Sequence, residues 1–297
     1  MGAAMREAVL AAVEIALILG SGLAYGQSAL RKAASLTLAV ITPALPWLLP
    51  ADALFLRGLY AVFSLLPLFK WIQCTVDGDV GSAGHRTWQW IAIFDVRETT
   101  RVRPHFDAKL LLHLGVYAAT AAGGTAVLVA AGPLSPSSWP LHLVGGVAAV
   151  IGLVQSVIDL VRLVHAAFGV HVPPIQREPL LSTSVRDFWG RRWNRTVSDW
   201  LRRYVFAPLA RRGHPVLGIV AAFAASAAFH FYIVIVPLGI AEGLVMAAFF
   251  LAQVPLIFIE RRALTGAGRL ERRLFAIFGL AATSPLFTIP FVEIWLG

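Results

Sequence analysis

His230 stands in the run A-A-F-A-A-S-A-A-F-H-F-Y-I-V, residues 221–234, some sixteen residues into an apolar segment that begins near His214. At 1.5 Å per residue this places the imidazole roughly 24 Å along a helix axis, well inside a bilayer. A neutral imidazole at that depth is a competent general base once a hydroxyl is set beside it. The plainer reading is a core hydrogen-bonder, the commoner fate of a lone histidine. The small residues Ala224, Ala225, Ser226, Ala227 and Ala228 just before it leave room for close helix packing or for a tunnel.

A second candidate lies 36 residues earlier, at Asn194. It falls inside Thr183 to Pro208, T-S-V-R-D-F-W-G-R-R-W-N-R-T-V-S-D-W-L-R-R-Y-V-F-A-P, a long stretch rich in both arginine and aromatic residues within an otherwise apolar chain. Ser184 followed by Asp187 reads as a helix start with a capping-box-like pattern. Val185, Phe188, Trp189, Trp193, Val197, Trp200, Leu201, Tyr204 and Val205 then recur at helical spacing as an apolar side. Arg191, Arg195, Ser198 and Arg202 form the other. Asn194 falls on the border of the two faces, Gly190 removes bulk beside it, and Pro208 is expected to help stop the element. Such a helix lies in the membrane interface. Between Arg177 and Arg212 nine arginines against three acids leave a net charge of +6. That charge serves anchoring to anionic lipid, at about 1 kcal/mol per basic residue. It also suits a polyanionic cosubstrate, because guanidinium groups match phosphate oxygens bidentately.

These residues must be positioned by membrane-spanning elements. The 297 residues are 58% hydrophobic and 14% charged, against roughly 25% charged in soluble domains. Eight apolar stretches are long enough to approach the ~20 residues a crossing needs: 7–26, 34–50, 53–73, 109–132, 139–168, 214–236, 239–260 and 272–296. Among the connections between these stretches, Lys and Arg occur only in alternate ones, namely Arg31 and Lys32, Arg86 to Arg103, Arg177 to Arg212, and Arg261 to Arg273. The connections near Ala51, Ser135 and Gly239 carry none. By the positive-inside rule the basic connections, including 74–108 and 169–213, are cytoplasmic and both termini lie on the opposite side. The expected fold is all-α: a single integral domain over 1–297, a polytopic bundle of about eight transmembrane helices with cytoplasmic interfacial helices. The net charge of +9 follows from topology and does not call for nucleic acid.

Other groups invite chemistry less strongly. Asp77 and Asp79 in D-G-D are two carboxylates in a glycine turn, which reads as a solvated loop; further spaced metal ligands are lacking, so no metal is expected. Trp88, Trp90 and Phe94 suggest an interfacial or re-entrant helix. Asp159, Arg162 and His165 fall at i, i+3 and i+6 and read as a structural ion pair, with a catalytic relay as the alternative. His113 and His142 read as satisfied core residues, the lone Cys74 as structural, and Glu14, Glu242 and Glu293 acquire no role.

The run S-x-x-x-F-W-G-R-R-W-N from Ser184 to Asn194, L-R-R-Y-V-F-A-P from Leu201 to Pro208, and F-H-F at Phe229 to Phe231 together resemble the wax-synthase branch of the membrane-bound O-acyltransferases. The resemblance covers residues 184–231; Phe231 stands where plant wax synthases usually carry a glutamate, a departure that bears on the acceptor pocket. What it implies is transfer of an acyl group from acyl-CoA, a cosubstrate rather than a resident cofactor, to a lipophilic alcohol in an intramembrane tunnel. His230 would then be the base and Asn194 the group that holds the thioester or its oxyanion. Arg191, Arg192 and Arg195 would receive the CoA phosphates, and Trp189 and Trp193 would line the acyl entrance. Two alternatives stay open: modification of an isoprenoid or another lipid-like metabolite by the same histidine, and a transporter or structural membrane protein. Transporters commonly show repeats or paired broken helices, and none is evident.

Overall fold

A computed structural model describes residues 3–78, 81–132, 135 and 137–296. Asp79 of the D-G-D pair lies outside them; Asp77 is engaged by Arg97, Nη2 to Oδ2 at 2.9 Å. The described chain is overwhelmingly helical, with one two-residue strand pair. Among the described residues six helices are long and apolar enough to cross a membrane: Met5–Ala24, Leu54–Asp77, Ala108–Ala131, Trp139–Ala167, Pro215–Leu238 and Ile240–Ala263. A bent pair, Arg269–Thr283 with Pro285–Leu296, makes up to seven. This is an integral, multi-pass, all-α membrane protein.

The chain divides into two compact units. The first comprises Met1–Arg97, Phe231–Gly243 and Ile294–Gly297. Its helices are α1 (Ala3–Ala24), α2 (Ala29–Ile41), α3 (Leu54–Ser64), α4 (Leu66–Asp77) and α5 (Ala83–Ile91). Ser28 caps α2 by accepting Arg31 N–H, and the Arg31 guanidinium bonds the Leu23 and Ala24 carbonyls at the end of α1. The apolar stretch 34–50 is not one long helix. Pro43 and Pro46 tighten it into a 3₁₀ segment over Thr42–Leu48, because each proline removes a backbone donor. Helix α5 forms within the expected polar segment, but Trp90 and Phe94 turn inward and are buried. The Trp90 indole N–H donates to Ser21 Oγ at 2.6 Å, and the ring lies against Gly22, where a Cβ would meet it at 2.8 Å.

The second unit comprises Glu98–His230 and Leu244–Glu293. In it β1 (Thr100–Arg101) leads to α6 (Ala108–Ala131) and α7 (Trp139–Ala167), and β2 (Val170–His171) pairs antiparallel with β1. Helices α6 and α7 form a close hairpin: a Cβ on Gly152 would stand 2.4 Å from Ala121 N. Small residues let backbones approach this way where lipid offers no hydrophobic drive. At the polar end of the hairpin the buried Asp159 carboxylate receives His113 Nδ1 at 2.6 Å, Gln155 Nε2 at 2.8 Å and Arg162 Nη1 at 3.4 Å. His165 stays apart, bonded to the Val161 carbonyl of its own helix. The remaining elements are α8 (Val185–Asp187), α9 (Arg195–Leu201), α10 (Ala207–Arg211), α11 (Pro215–Leu238), α12 (Ile240–Ala263), α13 (Arg269–Thr283) and α14 (Pro285–Leu296). Helix α11 runs on into the first unit after His230, as does α14 after Glu293. Helices α13 and α14 bend by 48°, at the Ser284–Pro285 junction where the proline supplies no N–H.

Candidate active site

The interfacial stretch is helical in pieces. After α8 the backbone widens into a π-helical turn over Phe188–Arg192, closed by Trp193 N donating to Phe188 O at 2.9 Å. Trp193 is then extended, and Asn194 is left-handed with φ 36°. Asparagine tolerates that region far better than bulkier residues. Its Oδ1 accepts Val197 N–H and so caps α9. The single long helix expected here is therefore broken at Trp193–Asn194. A second π turn, Arg202–Phe206, absorbs the missing donor of Pro208, which lies in the first turn of α10 instead of ending the element. Such turns recur at functional sites.

The break is held from several sides. Arg195 N donates to Ile175 O at 2.7 Å and Arg177 N to Arg192 O at 2.9 Å, so the segment at the buried Ile175 and Gln176 braces the turn. Ser184 caps α8 by accepting Asp187 N–H, and Glu260 on α12 accepts the Val185 and Arg186 amides. A carboxylate at these free amides satisfies donors that a helix start leaves open. Asp187 receives Arg192 Nε at 2.7 Å and the Thr183 amide at 3.1 Å. Burial alone would raise the Asp187 pKa, but the bonds from Arg192 and Thr183 outweigh it and hold the carboxyl below its ordinary value.

Trp189 carries the stretch into the helices. Its indole N–H donates to Gln253 Oε1 at 3.2 Å, and its ring meets Phe223 of α11 and Phe249 and Phe250 of α12. Gln253 is fully buried, and its amide donates to Phe249 O and Thr283 Oγ1. Trp193 stacks on Phe188, centroids 5.6 Å apart, and Phe188 meets Trp189 edge-on.

His230 lies on the same aromatic cluster, stacked on Phe250 at 3.9 Å with Phe287 at 6.3 Å and Phe229 edge-on at 4.9 Å. Nδ1 stands 2.8 Å from the Ser226 carbonyl oxygen. A carbonyl only accepts, so Nδ1 carries the proton and Nε2 keeps its lone pair. Phe250 thus touches both His230 and Trp189. Asn194 is joined to this cluster through the neighbouring Trp193 and the stacked rings, and its own hydrogen bonds stay within α9.

The three arginines differ. Arg192 is spent on Asp187 and on the Arg177 and Glu178 carbonyls. Arg195 pairs with Asp199, which also holds Arg202. Arg191 is exposed and without a partner among the described residues. Gly190 has open space where a Cβ would stand. Sequence reasoning missed Gln253 and Glu260: the first is uncharged, and the second abuts Arg261 and reads as the edge of a charged loop. A polar residue three and four positions after Phe250 and Phe249 in an apolar run was the available signal for Gln253.

Fold and site together define a multi-pass membrane protein with an imidazole among aromatic rings, tied to an arginine-rich surface stretch. Residues 172–252 match the model of the Membrane bound O-acyl transferase family, and the wax-synthase-like resemblance rests on the same segment. The chain is 41% identical over 76 residues to "Probable long-chain-alcohol O-fatty-acyltransferase 3" of Arabidopsis thaliana, covering 23% of this chain and 22% of that one. It is 45% identical over 49 residues to the "Long-chain-alcohol O-fatty-acyltransferase" of Simmondsia chinensis, covering 16% and 14%. It is 36% identical over 104 residues to "Diacylglycerol O-acyltransferase 1" of Arabidopsis thaliana, covering 32% and 19%. The chain thus spans between 14% and 22% of the length of these relatives.

Proposed function

We propose that the protein transfers an acyl group from acyl-CoA to the hydroxyl of a lipophilic alcohol within the membrane. The observation that carries this reading is the 2.8 Å contact of His230 Nδ1 with the Ser226 carbonyl, which commits Nδ1–H and leaves Nε2 as an acceptor among aromatic rings. An alcohol placed there gives its proton to Nε2 as its oxygen attacks the thioester carbonyl carbon. The tetrahedral intermediate then collapses, the C–S bond breaks, and the departing sulfur takes the proton back from Nε2. The products are an ester and free CoA thiol, and the enzyme returns to its starting state without an acyl-enzyme.

Asn194 has its oxygen turned to Val197 N–H, so its amide N–H groups are available to the thioester oxygen or to the oxyanion. Of the three arginines, Arg191, unpaired among the described residues, is suited to the CoA phosphates; Arg192 and Arg195 hold the shape of the surface it stands on. Trp189 and Trp193 line the path of the acyl chain. The basic connections face the cytoplasm in this reading, where acyl-CoA arrives, and both termini lie opposite.

The test is a reaction of the purified protein with radiolabelled acyl-CoA and a long-chain alcohol. Ester should form only when the alcohol is present, with one thiol released per ester. Thiol release without ester, or no consumption of acyl-CoA, would overturn the proposal.

A further inference from the structure

Glu14 sits eleven residues after the start of α1, about 16 Å along the axis and inside the span Met5–Ala24. Its side chain is buried, 3% exposed, and Oε1 has no hydrogen-bond partner among the described residues. An ionisable group in a membrane helix with an unmet oxygen is costly. It persists where something satisfies it. Two tyrosines interact electrostatically with Glu14, Tyr60 on α3 and Tyr232 on α11.

Neither tyrosine donates to Glu14 Oε1. Tyr60 O–H is directed to Glu7 O at 3.4 Å and Tyr232 O–H to Pro43 O at 2.6 Å, with Ser64 Oγ 3.2 Å from the Tyr232 oxygen. The Pro43 carbonyl is free to accept because Pro46, three residues on in the 3₁₀ segment, has no N–H to give it. The backbone thus takes both phenolic protons, and Glu14 Oε1 stays open among the described residues. All these groups belong to the first unit. Tyr232 follows His230 by two residues, about 200° around the helix, so the two side chains leave α11 on opposite sides.

We propose that Glu14 anchors a second binding site, for the hydroxyl group of a lipid alcohol dissolved in the membrane. The ligand donates its O–H to Glu14 Oε1 and lays an apolar chain among the helices. The free hydroxyl of a long-chain alcohol and that of a glycerolipid share this chemistry. Only the choice of probes rests on the acyl-transfer reading.

The experiment is photolabelling of the whole protein in nanodiscs with two diazirine probes, a long-chain alcohol and a diacylglycerol, followed by peptide mapping. Label is expected on peptides of α1 and α3, displaced by unlabelled alcohol of the matching probe but not by an alkane of equal length. Glu14→Leu should cut that label about tenfold, the worth of one hydrogen bond, while Glu14→Gln and His230→Ala should keep it. Whichever probe labels identifies the source of the hydroxyl. Label displaced equally by the alkane, label unchanged in Glu14→Leu, or no label on α1 and α3 would each overturn the site. The alkane competition needs no variant to fold. Labelling as expected in a protein that forms no ester would sink the acyl-transfer reading alone, and ester formation without such label would sink this one alone.

Discussion

Residues 185–192 and 195–211 have similar compositions, arginines interleaved with aromatics, yet they are held differently. The first piece is locked into the second unit. Val185 is fully buried against Ile257 and Ala276, Glu260 and Ser184 cap its start, and Trp189 is bonded to the buried Gln253. The second piece has no buried residue, and its charges pair along its own surface, Arg195 and Arg202 on Asp199. Asn194 is the joint. An interfacial helix that only anchored a protein would need the second kind of holding throughout. The first kind fixes one side of the joint to the helix that carries Phe250, and so to the surroundings of His230.

The comparison can be broken most severely at the joint itself. Asn194→Gly keeps the left-handed backbone and removes the amide, so kcat should fall by about 10²-fold with little change in acyl-CoA binding. Asn194→Ala should add a loss of stability of about 1–2 kcal/mol, from the strained backbone and the lost cap, read by thermal unfolding. An unchanged kcat in the glycine variant would leave Asn194 as a cap only. Gln253→Leu leaves the Trp189 N–H without its partner and should cost about 1–3 kcal/mol, seen as a lower Tm and faster hydrogen exchange over 185–192. Equal exchange there would mean that the first piece does not depend on this anchor.

Smaller effects separate the surface charges. Arg191→Glu should raise the KM for acyl-CoA severalfold and leave the KM for the alcohol alone; no change would leave Arg191 to lipid anchoring. Asp199→Ala, in the self-paired piece, should alter stability by less than about 1 kcal/mol. The pH response sharpens the same contrast. Asp187 is held below its ordinary value of 3.8, so its pairing stabilises fully above that value and is lost as pH falls through the lower folded value. Protease cleavage within 183–193 should therefore stay slow until pH drops below about 4. Cleavage that rises already near pH 6 would point to another group.

The spans were legible because a membrane leaves little choice of residue: apolar runs of sufficient length name themselves, as α6, α7, α11 and α12 do. The stretch 34–50 misled because hydropathy does not register that Pro43 and Pro46 withdraw two donors. The break at Trp193–Asn194 was hidden for a related reason. Apolar spacing continues across it, and a single left-handed asparagine changes the direction of the chain without changing the pattern. Trp90 read as an interface anchor because tryptophan prefers that level; only the structure reveals Gly22 and Ser21 making a place for it inside. His230 drew notice as an imidazole in an apolar run and Asn194 through the resemblance, and their roles are proposals, whereas the brace at Ile175 and the caps from Glu260 are long-range pairings that no local pattern carries.

In the proposed reaction His230 takes the alcohol proton. The most direct test is His230→Ala, with acyl-CoA binding and thermal stability measured beside ester formation in a single turnover. The expected result is wild-type binding, a folded protein and ester formation lowered by at least about 10³-fold. Ester formed at a near wild-type rate would contradict the account.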